Sequence, residues 1–225
     1  PTYVGGLNAC INGQGFFATQ AISTKEIDVD GDAADVTDAL KKAEFAYTRV
    51  GQFQLDSQGY LTDGTNFIYG FRPDGNNGFK TGSLVALRVP SDLNNGFDDD
   101  ALQAASVKIN ELGEVTATVT NPDNGESVQV SLGKIAIVTF QNQEGLMKSG
   151  GTYYSASIGD NTGLCSATIP GGSTSKLMTG YLEASNVDLA KEFSEMITTQ
   201  RGFQANTKMI TVSDEILSDL ISMKR

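Results

Sequence analysis

The last forty residues, Asn186 to Arg225, contain no proline and place apolar side chains at Leu189, Met196, Phe203, Ile210 and Leu217, one every seven residues. A seven-residue repeat sustained over this length specifies an α-helix of coiled-coil character. Phe193, Ile197, Met209, Val212, Ile216, Leu220 and Ile221 widen the stripe, and Gly202 interrupts it. Ser185 with Asp188 three residues on matches a capping box, so the helix is predicted to begin there. At about 1.5 Å per residue it would be on the order of 60 Å long, longer than a compact domain of this chain length is wide, and is expected to project. Each exposed Leu or Phe forgoes about 1.5–3 kcal/mol of burial. The stripe therefore requires a partner, either an upstream segment or other subunits, and Leu189, Phe193, Met196, Ile197, Phe203, Ile210 and Leu217 form the candidate assembly seam.

The first three quarters of the chain carry the other period. Leu7, Ala9 and Ile11 alternate with Asn8, Cys10 and Asn12, and Phe53 and Leu55 alternate with Gln52, Gln54 and Asp56, as half-buried strands do. Val107 and Ile109 precede a Glu-Leu-Gly turn, with Val115, Ala117 and Val119 after it, which reads as a hairpin. Val128, Val130 and Leu132 alternate next, and a nearly continuous apolar strand runs from Ile135 to Phe140. Residues 34–45, ADVTDALKKAEF, are the one helical candidate in this region. The expected fold is mainly β: a β-rich domain over residues 1–180 and one long helix within 181–225.

Several chemical readings fail on the residues themselves. The chain has no histidine, which removes the commonest general base and zinc ligand. No GxSxG, P-loop or HExxH pattern occurs, and no pair of carboxylates is singled out, so neither an enzyme nor a cofactor is expected. Gly13, Gly15 and Ala18 have the GxGxxA spacing of a dinucleotide fingerprint, but the residues after Gly15 are β-like where a helix is needed, so a tight turn is expected. Asp28, Asp30 and Asp32 occupy the first ligand positions of a calcium loop, yet Ala33 stands where its glycine belongs and Ala39 where its bidentate glutamate belongs. They remain a weak metal candidate, with a solvated acidic loop as the plainer reading; Asp98–Asp100 is read as solvated too. Cys10 and Cys165 fit no metal or redox spacing and are expected as buried or half-buried thiols.

Charge narrows the partners. Sixteen Lys and Arg against 27 Asp and Glu give a net charge of −11, which repels nucleic acid and anionic membrane surfaces. No apolar run approaches the roughly eighteen residues of a membrane span, and no signal-peptide pattern follows Pro1. The chain opens on Pro1 rather than Met, and an upstream segment is expected.

Four segments, INGQGFF, YTRVGQFQLDSQGYLTDGTNFIYGF, GKIAIVTFQNQEGLMKSGGTYYSASIGDNTG and the stretch from Gly180 to Arg225, together resemble in that order the flagellar hook and rod family of axial proteins. The resemblance implies a structural role without catalysis, helical self-assembly, contacts with other axial, cap and junction proteins, and export to the flagellum without a cleavable signal. In such proteins the C-terminal helix pairs with an N-terminal one in the innermost layer of a tube, and a β-rich domain forms the next layer. Gly202 and Phe203 after Arg201 resemble hook members, where distal rod members carry an Ala-Tyr pair. The short stretch between Phe71 and Lys134 is similar to a hook without an outer domain. Residues 23–44 resemble an insertion to which no family role carries over. The family's N-terminal helix does not occur in this chain. Outside the family, a secreted adhesive or carbohydrate-active β domain with an oligomerisation helix is the competing expectation.

Overall fold

Short alternating runs between glycine-rich turns become short strands, because each run has one pleat face to bury and no length for a helix. The computed structural model describes residues 1–23, 25–75, 78–90, 104–120, 125–171 and 175–223; the Asp98–Asp100 run lies outside them. In chain order the elements are β1 (Thr2–Tyr3), β2 (Ala9–Asn12), β3 (Phe16–Gln20), β4 (Ile27–Asp28), α1 (Ala33–Lys42), β5 (Ala46–Thr48), β6 (Gln54–Leu55), β7 (Leu61–Thr62), β8 (Phe67–Phe71) and β9 (Ser83–Ala86). There follow β10 (Ala104–Ile109), β11 (Glu114–Thr120), β12 (Ser127–Ile135), β13 (Ile137–Phe140), a 3-10 turn, β14 (Met147–Gly150), β15 (Tyr153–Ser155), β16 (Cys165–Thr168), β17 (Lys176–Thr179), β18 (Tyr181–Leu182) and α2 (Leu189–Ser222). They divide into two compact units, Pro1–Ala184 and Ser185–Arg225.

In the first unit the main antiparallel sheet runs β10-β11-β12-β8-β3-β5-β15-β14, with further pairings among β4, β6, β7, β9, β13 and β16. Its central strands are buried on both faces. Along β3, Phe17 enters one core with Phe53, Ile68, Leu132 and Ile135, while Phe16 and Ala18 enter a second with Phe45, Tyr47, Tyr69 and Phe140. Tyr47 and Phe140 meet edge to face with ring centroids 4.9 Å apart, as do Phe17 and Phe53 at 5.1 Å. Helix α1 closes the second core with Leu40, and Ala43 just past its end adds to it.

The predicted hairpin is β10 and β11, with Ile109 opposite Val115. Two local readings shift. The run 128–132 and the apolar stretch after it are not two strands split before Ile135: β12 continues to Ile135 through a bulge, where Gly133 adopts a φ of 133° that a side chain would resist, and the chain breaks at Ala136 instead. Helix α1 stops at Lys42, since Ala43 caps it and Glu44 turns left-handed at φ 57°. Cys10 is buried, as expected of a thiol without metal or redox spacing, and so are its neighbours Ala9 and Ile11.

In the second unit, α2 begins later than the capping-box reading placed it. Asp188 is the cap, its carboxylate accepting from the Ala190 and Lys191 N–H groups at 2.9 and 3.3 Å. The Ser185 hydroxyl is used earlier, accepting from the Val187 N–H at 3.2 Å, and so holds a turn ahead of the helix. The helix runs unbroken through Gly202, where a would-be Cβ meets nothing within 4 Å beyond the adjoining backbone of the helix itself.

Candidate assembly surface

Every described side chain of α2 is exposed, the large apolar ones from Val212 at 40% to Phe203 at 73%. An α-helix turns by about 100° per residue, so the column Leu189, Met196, Phe203, Ile210, Leu217 drifts by only about 20° per step and forms a shallow spiral. The apolar side chains beside it change flank partway along. Phe193 and Ile197 lie to one side of the column, Met209, Ile216 and Leu220 lie to the other, and Ile221 in the last turn returns to the first side. This switch was present in the sequence but is hidden when all of them are pooled as one widened stripe.

Polar groups on the same helix are prepared for burial. The hydroxyls of Ser194, Thr198, Thr199, Thr207, Thr211 and Ser213 each donate to the carbonyl four residues back, at 2.8 to 3.0 Å. A hydroxyl already paired within its own helix loses little when a neighbour displaces water from it. Lys191 and Glu195 are linked at 3.9 Å one turn apart, which contributes little at such exposure.

The first unit brings together the places where its chain starts and ends. Thr2 pairs with Leu182 and Tyr3 with Tyr181, and the two tyrosine rings meet at 5.2 Å. A segment preceding Pro1 would therefore begin beside the stretch that leads to α2.

The described part of the 23–44 stretch, from residue 25 on, is built into the β unit. Strand β4 pairs with β9, and α1 lies along β16, whose other side pairs with β13. The Thr37 hydroxyl accepts from the Cys165 N–H at 3.0 Å, so the helix satisfies a backbone group that β16 would otherwise present at an open edge. Lys41 Nζ meets Asp160 Oδ1 at 2.7 Å with both side chains more than nine-tenths buried. Asp160 also accepts from the Ser157 and Thr162 N–H groups and the Thr162 hydroxyl. Of the three predicted cation ligands, Asp28 Oδ1 accepts from the Asp30 N–H at 3.0 Å and Asp32 precedes α1 without a side-chain cap. No group of three or more potential ligands converges among the described residues.

Burial alone would raise the Asp160 carboxyl, but the Lys41 ammonium, the Thr162 hydroxyl and the backbone donors hold it at about 2, below the ordinary 3.8. A carboxyl depressed on folding adds stability above its unfolded value, lost as pH falls toward the folded one. The β unit is thus expected to lose about 2 kcal/mol through this group between about pH 5 and pH 2. Denaturant unfolding checks it: the stability gap between wild type and Asp160→Asn should shrink across that window.

Cys10 and Cys165 are free and buried, and burial raises both thiols. Neither is expected to alkylate in the native protein at neutral pH, and both should label once the chain is denatured without reductant. Intact-mass measurement decides it, since a crosslinked population would stay unlabelled.

Residues 178–223, covering the end of β17, β18 and all of α2, match the family described as the flagellar basal body rod FlgEFG protein C-terminal. Across the whole chain, the flagellar basal-body rod protein FlgG of Bacillus subtilis is 38% identical over 213 residues, covering 92% of this chain and 69% of that protein. The chain belongs to the flagellar rod and hook family. Flagellar hook proteins FlgE match over less of it: that of Treponema pallidum is 40% identical over 119 residues, 52% of this chain and 24% of the hook protein. That of Salmonella typhimurium is 35% identical over 148 residues, 66% of this chain and 30% of its own length. The dinucleotide reading of Gly13, Gly15 and Ala18 needs a helix opening after Gly15, and the structure instead turns there and continues as strand β3.

Proposed function

We propose that this chain is a structural, non-enzymatic subunit of the flagellar axial tube, in first place the hook, which polymerises helically with copies of itself and adjoins other axial, cap and junction proteins outside the cell. One observation carries the reading: a capped helix of 34 residues presents its apolar column to solvent, with none of its described residues buried. Apolar side chains on both flanks of that column need cover from two sides, which a bundle of neighbouring helices provides and a single partner does not. Residues 1–180 act as the middle domain, residues 181–225 supply the inner-tube helix, and a helix preceding Pro1 pairs with α2 along Leu189, Phe193, Met196, Ile197, Phe203, Ile210 and Leu217. Export without a cleavable signal fits two thiols held apart as free groups. Torque passes through the continuous helices, while contacts between β domains slide as the tube bends.

The distal rod is the second reading, favoured by the co-linear match to FlgG over 92% of the chain. Gly202 and Phe203 support the hook. Expressing the gene from its natural start in cells lacking either the hook subunit or the distal rod subunit separates them by which defect is restored. Amide exchange tests the assembly surface itself: residues 189–222 should exchange fast in the isolated chain and become protected on polymerisation. Strong protection in the isolated chain would refute an assembly role for the column.

A further inference from the structure

The short connection between the two units is anchored at both ends. Asp188 caps α2 at one end. At the other, Glu183 follows β18 directly, and its Oε2 accepts from Arg49 Nε at 2.7 Å. Only Ala184, Ser185, Asn186 and Val187 lie between the two anchored residues.

Arg49 is an unusual partner for a half-exposed carboxylate. Its Nη1 donates to the Gly13 and Gly15 carbonyls at 3.1 and 3.0 Å, and its Nη2 to the Ile11 and Gly13 carbonyls at 3.2 and 3.1 Å. With Nε on Glu183, every nitrogen of the guanidinium is engaged, and the group sits over the Phe16 ring at 6.0 Å. The three carbonyls converge because Gly13 and Gly15 take φ values of 132° and 121° in the turn between β2 and β3. A surface ion pair usually contributes little, since two long side chains must be ordered to form it. Here one side chain is already ordered by the turn, so Glu183 meets a cation held in place.

We propose that Arg49 is a positioning residue that pins the chain where it leaves the β unit, by tying Glu183 to the β2–β3 turn. This rests on the axial-subunit reading for its purpose: in such a subunit force passes through residues 183–188, and a slack root would lengthen that path. The pin itself is a property of the isolated chain and is tested there.

Backbone order parameters from nitrogen relaxation should be about 0.85 at Glu183 and Ala184 in wild type, as in rigid backbone, and fall below about 0.6 in Glu183→Ala and in Arg49→Lys. Lysine keeps the charge but cannot span three carbonyls and a carboxylate, so charge alone should not suffice. Glu183→Gln, which keeps an acceptor, should restore part of the order. The exchange Arg49→Glu with Glu183→Arg should not, because the turn carbonyls require a cation at position 49. Unchanged order in Glu183→Ala, or full rescue by the exchange, would overturn the proposal. In cells, failure of the wild-type gene to restore any axial structure would sink the axial reading, while the relaxation result would still decide the pin.

Discussion

Replacing Phe203 with aspartate is expected to abolish assembly while leaving the β unit's melting temperature unchanged. Phe203 stands at the middle of the seven-residue column, fully outside the β cores, and is 73% exposed. The substitution therefore removes no packing from the folded unit, and surface changes of this kind stay within about 0.5 kcal/mol. In a dry seam the same carboxylate would lose its water without gaining a partner, at a cost of several kcal/mol. A loss of about 3 kcal/mol per contact raises the concentration needed for assembly on the order of a hundredfold. Sedimentation of the full-length protein reads this directly. Normal polymers from Phe203→Asp would remove the proposed seam.

Lys41→Met is expected to cost the β unit about 3 kcal/mol, the low end for removing one member of a buried ion pair. Asp160 would remain inside with its backbone and Thr162 donors but without its cation. In a unit of this size the loss corresponds to a fall of roughly 6–12 °C in melting temperature. The acid limb should change too. With the ammonium gone, the carboxyl is less depressed, so stability should depend less on pH below about pH 4. Calorimetry at neutral and acid pH measures both effects. An unchanged melting temperature would show that α1 is held by Leu40 and Ala43 alone.

The helix and the Val107–Val119 hairpin were legible because their signals are local: a repeat along one face, or an alternation folded about a turn. What escaped was long-range. Thr37 and Cys165 are 128 residues apart in the chain, and Lys41 and Asp160 are 119 apart, so no window of sequence contains either pair. Residues 23–44 consequently read as an insertion with a helical stretch at 34–45 but no role, while the structure shows what that helix does: it closes a core and satisfies an edge backbone group. Arg49 was missed for the same reason, since its partners lie on a turn before it and at Glu183 far after it. The start of α2 failed differently. Ser185 and Asp188 both have capping chemistry, and which one caps depends on where the chain stops being held, which their spacing does not reveal.

The pairing of β1 with β18 has a mechanical consequence. Thr2 lies opposite Leu182, so the chain comes in and goes out at the same end of a two-stranded ribbon only two pairs long. Pulling those two ends away from each other would open the ribbon like a zip, one pair at a time, with each step resisted by a single pair. Pulling them together in one direction instead places both strands under tension at once and leaves their mutual bonds almost unstressed. A ribbon this short can withstand tension only if the segments beyond it stay side by side, and in the proposed assembly bundling of the helices would thus protect the stem as well.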